Sequence, residues 1–502
     1  MTAQQSYEQL CERSKQIGYL GSTVAVLHWD QRTQIPPKGH PHRVAQLTFL
    51  AGMLHKMKTD PVAGELLGRV EDSDLIADSL SVEAVNVREW RRSYDMATKI
   101  PERLAVELAH ASAEGHAVWE QTRPGSDWNT FKPYLKRIVS LKREEAEALG
   151  YDQEPYDALL DQYERAETTR NLQPIFERLR IALVELMERL RNAQPQSRNS
   201  LKGRRFPIVD QEAFAIEVAK RIGYDMEAGR LDVSAHPFTT GIGPGDVRIT
   251  TRYREDSFDD SFFSVLHEAG HALYHQGLPL EHWGVPFCKP ISLGVNESQS
   301  RMWENLVGRS KAFWKYWHPE ARSRFAALQE VSLDDFHRAI NEVQPGLIRV
   351  LADEVTYNIH VLLRFELEVM LTRGELDVED LPEAWNMKMY KYLGLTPPDY
   401  SQGVMQDVHW SSGAIGYFPT YTLGNLYSAQ FFVQARRDLG DLDSIMECGE
   451  FSILLGWLRE KIHSQGSRYL PRALVEKVTG EDLNPNYLVE YLGTKYGLLY
   501  GL

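Results

Sequence analysis

The sequence feature that most limits what this chain can fold into is the motif His267-Glu268-Ala269-Gly270-His271. On an α-helix, residues four positions apart lie one turn above the other on the same face. The two histidines can therefore present their rings to one metal ion. The flanking residues are mostly apolar, which predicts a nearly buried helix over 264–277. Two imidazoles and a carboxylate are costly on such a helix unless they are paired or bind a metal.

Glu268 follows the first histidine directly, so its carboxylate projects to one side of the predicted metal. There it can accept a proton from a water that the metal activates, which is the H-E-x-x-H arrangement of zinc peptidases. A chain with 16 His and 70 Asp+Glu sometimes produces this pattern by chance. The apolar flanks favour a metal site over chance, because they predict that the polar side chains are buried. Gly270 leaves one side of the helix open to close approach. His275 continues the four-residue spacing, but we expect it to be a supporting or surface residue.

Composition is that of a soluble globular protein, with 502 residues, 43% of them hydrophobic and 25% charged. The formal net charge of -14 argues against partners such as nucleic acid and acidic membrane surfaces. Cys11, Cys288 and Cys448 are far apart and match no metal or disulfide spacing, so we expect reduced thiols and a cytoplasmic location. The first residues lack the order of a signal peptide, and no run of 18 apolar residues is present to span a membrane.

Most of the chain shows apolar residues at helical intervals. We found no internal repeat and no low-complexity segment. The long helix over 168–193 should end in the polar stretch 194–199. Helices are predicted over 7–30, 43–57, 79–100, 102–123, 127–149 and 168–193, and after the motif over 296–310, 346–373, 379–393, 422–438, 451–462 and 473–478.

The pattern changes just before the predicted metal helix. The segments 231–238 and 246–253 are short and rich in β-branched residues, with glycines and a proline between them, which predicts a β-hairpin with a longer loop. A strand edge beside the metal helix can hold an extended substrate through main-chain hydrogen bonds. The segment 397–421 is rich in Gly, Trp, Tyr and His and is a candidate functional loop.

A catalytic zinc takes three protein ligands and keeps one position open for water. Glu297 follows the motif, in a segment predicted as the start of a helix. Any helix favours a carboxylate in its first turn, so the spacing alone leaves the third ligand open among Glu297, Glu281 and His282. Glu304 lies one or two turns beyond Glu297 and is a candidate hydrogen-bond acceptor for a ligand.

A peptidase acting at a free C-terminus must hold a carboxylate, for which the planar fork of arginine is suited. Arg248 lies on the predicted strand, on the same face as Asp246 and Thr250, where a solvated face is the alternative interpretation. Arg349 and Asp353 are four residues apart, and such a pair often only supports a surface helix.

The oxyanion that forms during peptide hydrolysis needs a hydrogen-bond donor. Tyr417, Tyr421 and His409 lie in or beside the glycine-rich loop region and are candidates for this role. Gln406 lies in the same loop, within a run of hydrogen-bonding side chains. A loop of this kind is structural more often than catalytic, so the residues alone leave both possibilities open.

These pieces belong to a longer series of motifs that extends over nearly the whole chain. In chain order the series is Leu27-His28-Trp29-Asp30, Pro36-Pro37-Lys38-Gly39, His236-Pro237-Phe238, 246–250, 267–271, Glu297-Ser298-Gln299, 348–353, 403–410, Gly416-Tyr417-Phe418-Pro419 and Tyr421-Thr422-Leu423-Gly424. An isolated H-E-x-x-H would be weak, but the ordered series resembles the thermostable (Taq-type) carboxypeptidase family of metallopeptidases.

The resemblance implies a mainly α fold, a helical two-lobed body with a deep groove and a small β-sheet beside the metal helix. It implies one domain over 1–502, with an N-terminal lobe over about 1–228 and a metal-binding part over about 229–502. The implied activity is a metallocarboxypeptidase that releases single residues from peptides with a free C-terminus. A homodimer with one Zn²⁺ per subunit is also implied, with Co²⁺ or Mn²⁺ as alternatives.

The resemblance also implies roles for individual residues. The metal ligands are His267, His271 and Glu297, and Glu268 is the general base. The closed end of the groove, where the substrate carboxylate is held, is formed by the segments of Arg248, Arg349 and His409. The remaining site residues are His236, Gln406 and Tyr417 for substrate binding, and His409 and Tyr421 for catalysis.

One position departs from the family pattern, in which a histidine usually precedes the third ligand. Here that position is Asn296, which is an acceptable helix N-cap, so the ligand itself should be kept while the tuning of the metal could differ. Two alternatives stay open. One is an oligopeptidase or dipeptidyl-carboxypeptidase on a similar helical body, and the other is an inactive peptide-binding scaffold, which the complete set of ligands and base argues against.

Overall fold

The computed structural model describes residues 1–193 and 201–502, and the mainly α fold class is confirmed. The predicted end of a helix at 194–199 lies outside the described residues. Ahead of the small sheet the helices are α1 Ala3–Thr33, α2 His40–Lys58, α3 Pro61–Glu71, α4 Val82–Lys99, α5 Glu102–Thr122, α6 Trp128–Leu149, α7 Pro155–Leu160, α8 Thr169–Asn192 and α9 Ile208–Arg221. After it they are α10 Phe258–Gln276, α11 Leu293–Arg301, α12 Lys311–Arg324, α13 Leu333–Ala339, α14 Tyr357–Arg373, α15 Leu381–Leu393, α16 Pro419–Leu439, α17 Leu442–Glu447, α18 Phe451–Lys461, α19 Pro471–Thr479 and α20 Asn486–Tyr500.

The predicted helix over 346–373 is wrong in its first part. A short 3₁₀ turn, Arg349–Leu351, precedes α14. Asp353 then accepts hydrogen bonds from the backbone N–H groups of Val355 and Thr356, both at 3.0 Å, which satisfies free donors at the start of α14. Asp353 is therefore not the helical partner of Arg349. The helices α3, α7, α9, α12, α13, α17 and α20 were not predicted.

Three short strands form one sheet in the order β1-β3-β2. Their bounds are β1 Leu231–Val233, β2 Thr239–Gly243 and β3 Asp246–Thr251. The strand β1 pairs parallel with β3, and β2 pairs antiparallel with it. The predicted hairpin between 231–238 and 246–253 is therefore wrong in its first strand. The chain leaves the sheet before Pro237, which has no N–H to donate, and the strand that returns as the hairpin partner is β2.

The helix α10 is buried within the main core, as its apolar flanks predict. Its first turns carry Phe258 and Phe262, whose rings are 5.1 Å apart and lie next to Trp314. Strands β2 and β3 pack against α10, so the small sheet lies beside the predicted metal helix, as expected. None of the helices in the described ranges is both long and apolar enough to cross a membrane. The division of the chain near residue 228 stays a prediction.

Glycines let three helices approach closely around the metal motif. A Cβ atom added to Gly270 on α10 would lie 2.6 Å from Ser300 Cα on α11. A Cβ atom on Gly424 of α16 would overlap the side chain of Glu297. The contact at Gly270 confirms that this residue is needed for close approach. The same packing fixes Glu297 opposite the two histidines.

Candidate active site

The predicted metal ligands come together from two helices. His267 and His271 lie on successive turns of α10, and Glu297 lies on α11. The Oε2 atom of Glu297 is 3.4 Å from Nε2 of His271 and 3.7 Å from Nε2 of His267. One ligand atom from each residue lies within 4.8 Å of the other two. Glu297, which follows His271 by 26 positions in the sequence, thus converges with both histidines on a single point.

This arrangement fits a tetrahedrally coordinated metal. Bonds of 2.0–2.2 Å to nitrogen and oxygen place neighbouring ligand atoms about 3.4 Å apart in a tetrahedron, which matches the measured N–O separations. Within the described residues this is the one group of histidine, cysteine and acidic side chains that could hold a metal ion. Glu281 and His282, the other candidates for third ligand, lie in a separate 3₁₀ turn, Leu280–His282, and do not join the group.

Each histidine is oriented through its second ring nitrogen. Nδ1 of His267 is 2.8 Å from Oε2 of Glu304, and Nδ1 of His271 is 3.1 Å from Oδ1 of Asn296. An acceptor at Nδ1 leaves Nε2 free to face the metal. The predicted role of Asn296 as helix N-cap is wrong, because α11 begins earlier and its cap is Ser292, whose Oγ accepts from the backbone N–H of Val295 at 3.1 Å.

Arg301 was missed by the sequence reasoning and connects the two carboxylates of the site. Its Nε donates to Glu297 at 2.7 Å and its Nη1 to Glu304 at 3.2 Å. The following residues, Met302–Val307, form a π-helical turn, a feature often found at functional sites, and Glu304 lies within it. Burial alone would raise the pKa of Glu304, but Arg301 and His267 lower it to about 2. The spacing of an arginine between two glutamates on one helix was the available signal.

Glu268, the predicted general base, is buried and 7% exposed. Its Oε2 accepts a hydrogen bond of 2.6 Å from Oγ1 of Thr239 on β2. The same hydroxyl lies 2.9 Å from the backbone carbonyl of Glu268. The sheet therefore holds the carboxylate on one side of the metal helix. Thr239 was not predicted, because the sequence placed the first strand of the hairpin too early.

A second cluster of charged residues surrounds Asp407. Arg349 donates to Oδ1 of Asp407 from Nε at 3.0 Å and from Nη2 at 2.8 Å, while Arg364 binds Oδ2. Arg349 is 5% exposed, so the alternative of a surface pair is wrong for this residue. Burial alone would lower the pKa of Arg349, but Asp407 raises it well above the ordinary value. Arg364 was not predicted.

The predicted loop residues gather around this cluster. The guanidinium of Arg349 lies 4.9 Å from the centre of the Tyr421 ring, and Oε1 of Gln406 accepts from the backbone N–H of Arg349 at 2.9 Å. Nε2 of His409 is 3.2 Å from the hydroxyl of Tyr421, whose ring lies 5.3 Å from that of Tyr417. Burial lowers the pKa of His409 to about 3 and raises that of Tyr417 to about 12. Both residues are therefore neutral near pH 7.

Tyr357 joins the metal group to the arginine cluster. Its ring lies 4.2 Å from the guanidinium of Arg301, which binds the predicted metal ligand Glu297. Its hydroxyl accepts a hydrogen bond of 3.1 Å from Nη1 of Arg349. The two groups are thus neighbours in one site, although more than fifty residues separate Arg349 from Glu297 or Asp407 in the chain. No pattern in the sequence pointed to Tyr357.

Arg248 and His236 have different surroundings from the other predicted residues. Arg248 binds Asp246 with two hydrogen bonds of 2.8 Å, and its guanidinium lies 4.3 Å from the centre of the Trp29 ring on α1. His236 is exposed, and its carbonyl accepts from Ser234 at 2.7 Å. Both lie on or beside the sheet, and their substrate-binding roles stay predictions. His275 does not join the metal group, and burial lowers its pKa to about 4.

The helical fold and the converging histidine and glutamate side chains define a metal-dependent hydrolase. The family model described as Carboxypeptidase Taq (M32) metallopeptidase matches residues 9–496. The chain belongs to this family. It is a metallocarboxypeptidase, and its substrates are peptides. The family resemblance and the enzyme class predicted from the motifs are confirmed.

Proteins and structures similar to this chain support the same assignment. Thermostable carboxypeptidase 1 of Thermus thermophilus is 54% identical over 511 residues, covering 100% of both chains. Carboxypeptidase 1 of Bacillus subtilis is 37% identical and covers 97% of both. The crystal structure of the M32 carboxypeptidase from Deinococcus radiodurans R1 has a TM-score of 0.96 and 38% identity, covering 99% of this chain and 100% of that one.

Proposed function

We propose that the protein binds Zn²⁺ through His267, His271 and Glu297 and releases single C-terminal residues from peptides, with Glu268 as general base. The observation that carries the proposal is the convergence of the three ligand atoms within 4.8 Å. Co²⁺ and Mn²⁺ also accept two nitrogen ligands and one oxygen ligand, so zinc is the first metal to test. When bound, the metal polarises the scissile carbonyl and lowers the pKa of a water towards neutrality.

The side chains of the site supply the remaining steps. Glu268, held by Thr239, accepts a proton from the attacking water and passes it to the leaving amine. Glu304 and Asn296 keep the two histidine rings in the ligating orientation. Tyr421, with its hydroxyl beside His409, is the donor for the oxyanion. Arg301 compensates the charge of Glu297 and Glu304 in the buried site.

The carboxylate of the substrate is bound at the arginine cluster. Two guanidinium groups, Arg349 and Arg364, share the single carboxylate of Asp407, so the cluster carries a net positive charge. Arg349 uses three of its five N–H groups for Asp407 and Tyr357. Its remaining donors can bind a terminal carboxylate. Gln406 and Tyr417 complete this wall of the site, and Arg248 and His236 hold the peptide at the sheet.

The proposal includes a cytoplasmic homodimer. Three cysteines with no paired spacing favour a reducing compartment, and the free thiol of Cys288 is buried. The dimer is supported by the family resemblance. Size-exclusion chromatography with light scattering tests it, since a single species at the monomer mass would contradict it.

A peptide digest tests the proposed activity. The zinc-loaded protein is incubated with a short free-acid peptide and with a C-terminally amidated copy, and the products are followed by mass spectrometry. We expect a ladder that loses one residue at a time from the free acid, with the amide uncut, because the carboxylate is needed for binding. Dipeptide or internal cuts in both peptides would support the oligopeptidase or dipeptidyl-carboxypeptidase alternative. Complete inactivity with Zn²⁺, Co²⁺ and Mn²⁺ would support the inactive scaffold.

A further inference from the structure

A cavity of about 520 Å³ lies beside the proposed metal centre. Its walls come from the first four helices, α1 to α4, from the turn after α7 and from the segment between α10 and α11. Asn296 lines the cavity and contacts the metal ligand His271. Tyr163 also lines it, and its ring lies 5.2 Å from that of Tyr417. The cavity therefore adjoins the site through these two residues, but the proposed reaction steps do not use it.

The charged residues of this cavity are mostly basic, although the whole chain has a formal net charge of -14. The acidic residues in the lining are Glu89 and Asp161. The basic residues in the lining are Arg13, Lys58, Arg92, Arg165 and Lys289. A local excess of positive charge in an acidic protein attracts anionic groups to that place.

Two of these basic residues lack a carboxylate partner. Arg13 binds Asp60, Arg92 binds Asp161 and Arg165 binds Glu89. By contrast, Lys58 and Lys289 form no ion pair with any residue in the described ranges. Their ammonium groups are the donors that the folded chain itself does not neutralise.

Lys289 lies in surroundings that favour a bound anion. Its side chain is accessible to solvent in the cavity, yet the protein around it is dense enough that burial lowers the pKa of its ammonium, and Lys58 lowers it further. Glu89 acts in the opposite direction, but it is bound by Arg88 and Arg165. A carboxylate placed between two such ammonium groups gains from both of them.

The rest of the lining accepts the apolar part of a peptide side chain. Leu10, Ile17, Met57, Leu67 and Ile291 all face this cavity. A pocket of mainly apolar walls with a few charged groups is the usual form of a specific binding site. An aspartate or glutamate side chain has this combination, with methylene groups ahead of the carboxylate.

We propose that this cavity is a specificity pocket for an acidic side chain of the substrate, upstream of the bond that is cleaved, with Lys58 and Lys289 as the binding residues. The inference rests on the proposed carboxypeptidase function. The same carboxylate chemistry could come from the C-terminus of the peptide, but the arginine cluster around Asp407 already offers donors for it. The upstream side chain is therefore the source to which this pocket is assigned.

Matched peptides test the pocket. Each pair carries Glu or Gln at one position, from the second to the fifth residue from the C-terminus, and kcat/KM is measured for release of the last residue. We expect the zinc-loaded enzyme to prefer Glu about tenfold at one of these positions. The Lys58→Met, Lys289→Met double variant should lose that preference, and the Lys58→Arg, Lys289→Arg variant should keep most of it. Lys56→Met is the control, since it removes one charge from the same helix outside this cavity.

The possible results separate the pocket from the proposed function. Loss of the Glu preference in the double Met variant, with unchanged rates on the Gln peptides, supports the pocket. Equal loss on both peptides would show that the lysines serve the terminal carboxylate and would overturn it. Cleavage by the wild type with no Glu preference would also overturn it while leaving the carboxypeptidase intact. A Glu preference that Lys56→Met removes equally would show a general effect of surface charge and would contradict the assignment.

Discussion

Two buried charged clusters lie side by side in this protein and differ in the sign of their net charge. The metal cluster contains Glu297 and Glu304 with one guanidinium, that of Arg301. The arginine cluster contains Arg349 and Arg364 with one carboxylate, that of Asp407. The first has an excess of negative charge and the second an excess of positive charge. Burial makes such an excess costly unless a bound group compensates it.

The difference in net charge suits the two clusters to two ligands of opposite charge. The metal cluster is suited to a cation, and the arginine cluster is suited to a carboxylate. Tyr357 separates them, with its ring against Arg301 and its hydroxyl bound to Arg349. In the proposed function, a peptide that binds its terminal carboxylate at the arginine cluster presents its last peptide bond to the metal.

The largest expected effect is that of a variant that removes proton transfer in the metal cluster and keeps metal binding. Glu268→Gln should lower kcat on a free-acid peptide by about 10³–10⁴-fold, because the general base is lost. The zinc content should remain at one ion per chain, because no ligand is changed. Steady-state kinetics and elemental analysis of the purified variant check both points. Near-normal turnover would contradict the assigned base. Glu281→Gln removes an exposed carboxylate near the same helix and is the control.

The next effect compares the two arginines assigned to the substrate. Arg349→Met should reduce kcat/KM on free-acid peptides about 100-fold, because a bidentate partner of the carboxylate is lost, with zinc content unchanged. Arg248→Met, outside the cluster, should cost less than tenfold. Arg349→Lys keeps the charge without the planar fork and should lie between wild type and Arg349→Met. If Arg248→Met proved the more harmful variant, the carboxylate site would belong at the sheet.

Behind each cluster lies a buried carboxyl group whose pKa is raised. The stability of the protein should therefore depend on pH. Glu164 accepts hydrogen bonds from Ser292 and Gly294, just before the proposed ligand Glu297, and burial raises the pKa of Glu164 to about 7. Glu368 accepts from Trp410 and from the backbone N–H of Gly416, behind His409 and Tyr417, and burial also raises its pKa to about 7.

A carboxyl with a raised pKa holds its proton more tightly in the folded state than in the unfolded chain. Its contribution to stability is therefore complete below the ordinary value of 4.5 and is lost as the pH rises through about 7. The loss is about 3 kcal/mol for each group. The free energy of unfolding is measured with urea at pH 5 and at pH 8. Between these two values it should fall less in Glu164→Gln and in Glu368→Gln than in the wild type. If the free energy of unfolding fell as much in both variants as in the wild type, the raised pKa values of Glu164 and Glu368 would be contradicted.

The smallest expected effect concerns the different hydrogen-bond partners at Nδ1 of the two histidines. His267 faces the carboxylate of Glu304, whereas His271 faces the amide of Asn296. Asn296→Ala should weaken zinc affinity about tenfold, since the orientation of His271 is lost, and Asn296→Asp should strengthen it. Competition with a chelator of known affinity measures both. If the affinity of the Ala variant were unchanged, Asn296 would not orient the ligand.

The helices and the metal motif were largely predictable because their signals are local. The spacing of His267 and His271 and the apolar flanks of α10 are properties of one turn of helix after another. Sequence patterns failed where pairing partners compete over longer distances. The parallel pairing of β1 with β3 and the short turn before α14 depend on neighbours that a local pattern does not specify.

By itself, the sequence predicted the fold class, which is confirmed, and named two proposed metal ligands and the candidate general base. It did so because a helix converts spacing along the chain directly into spacing on one face. The tertiary structure alone decided the convergence of Glu297 with the histidines and the pairing of Arg349 with Asp407. It also decided the contact of Thr239 with Glu268. Each of these contacts joins segments far apart in the chain, and their meeting depends on the close packing of α10, α11 and α16 at Gly270 and Gly424.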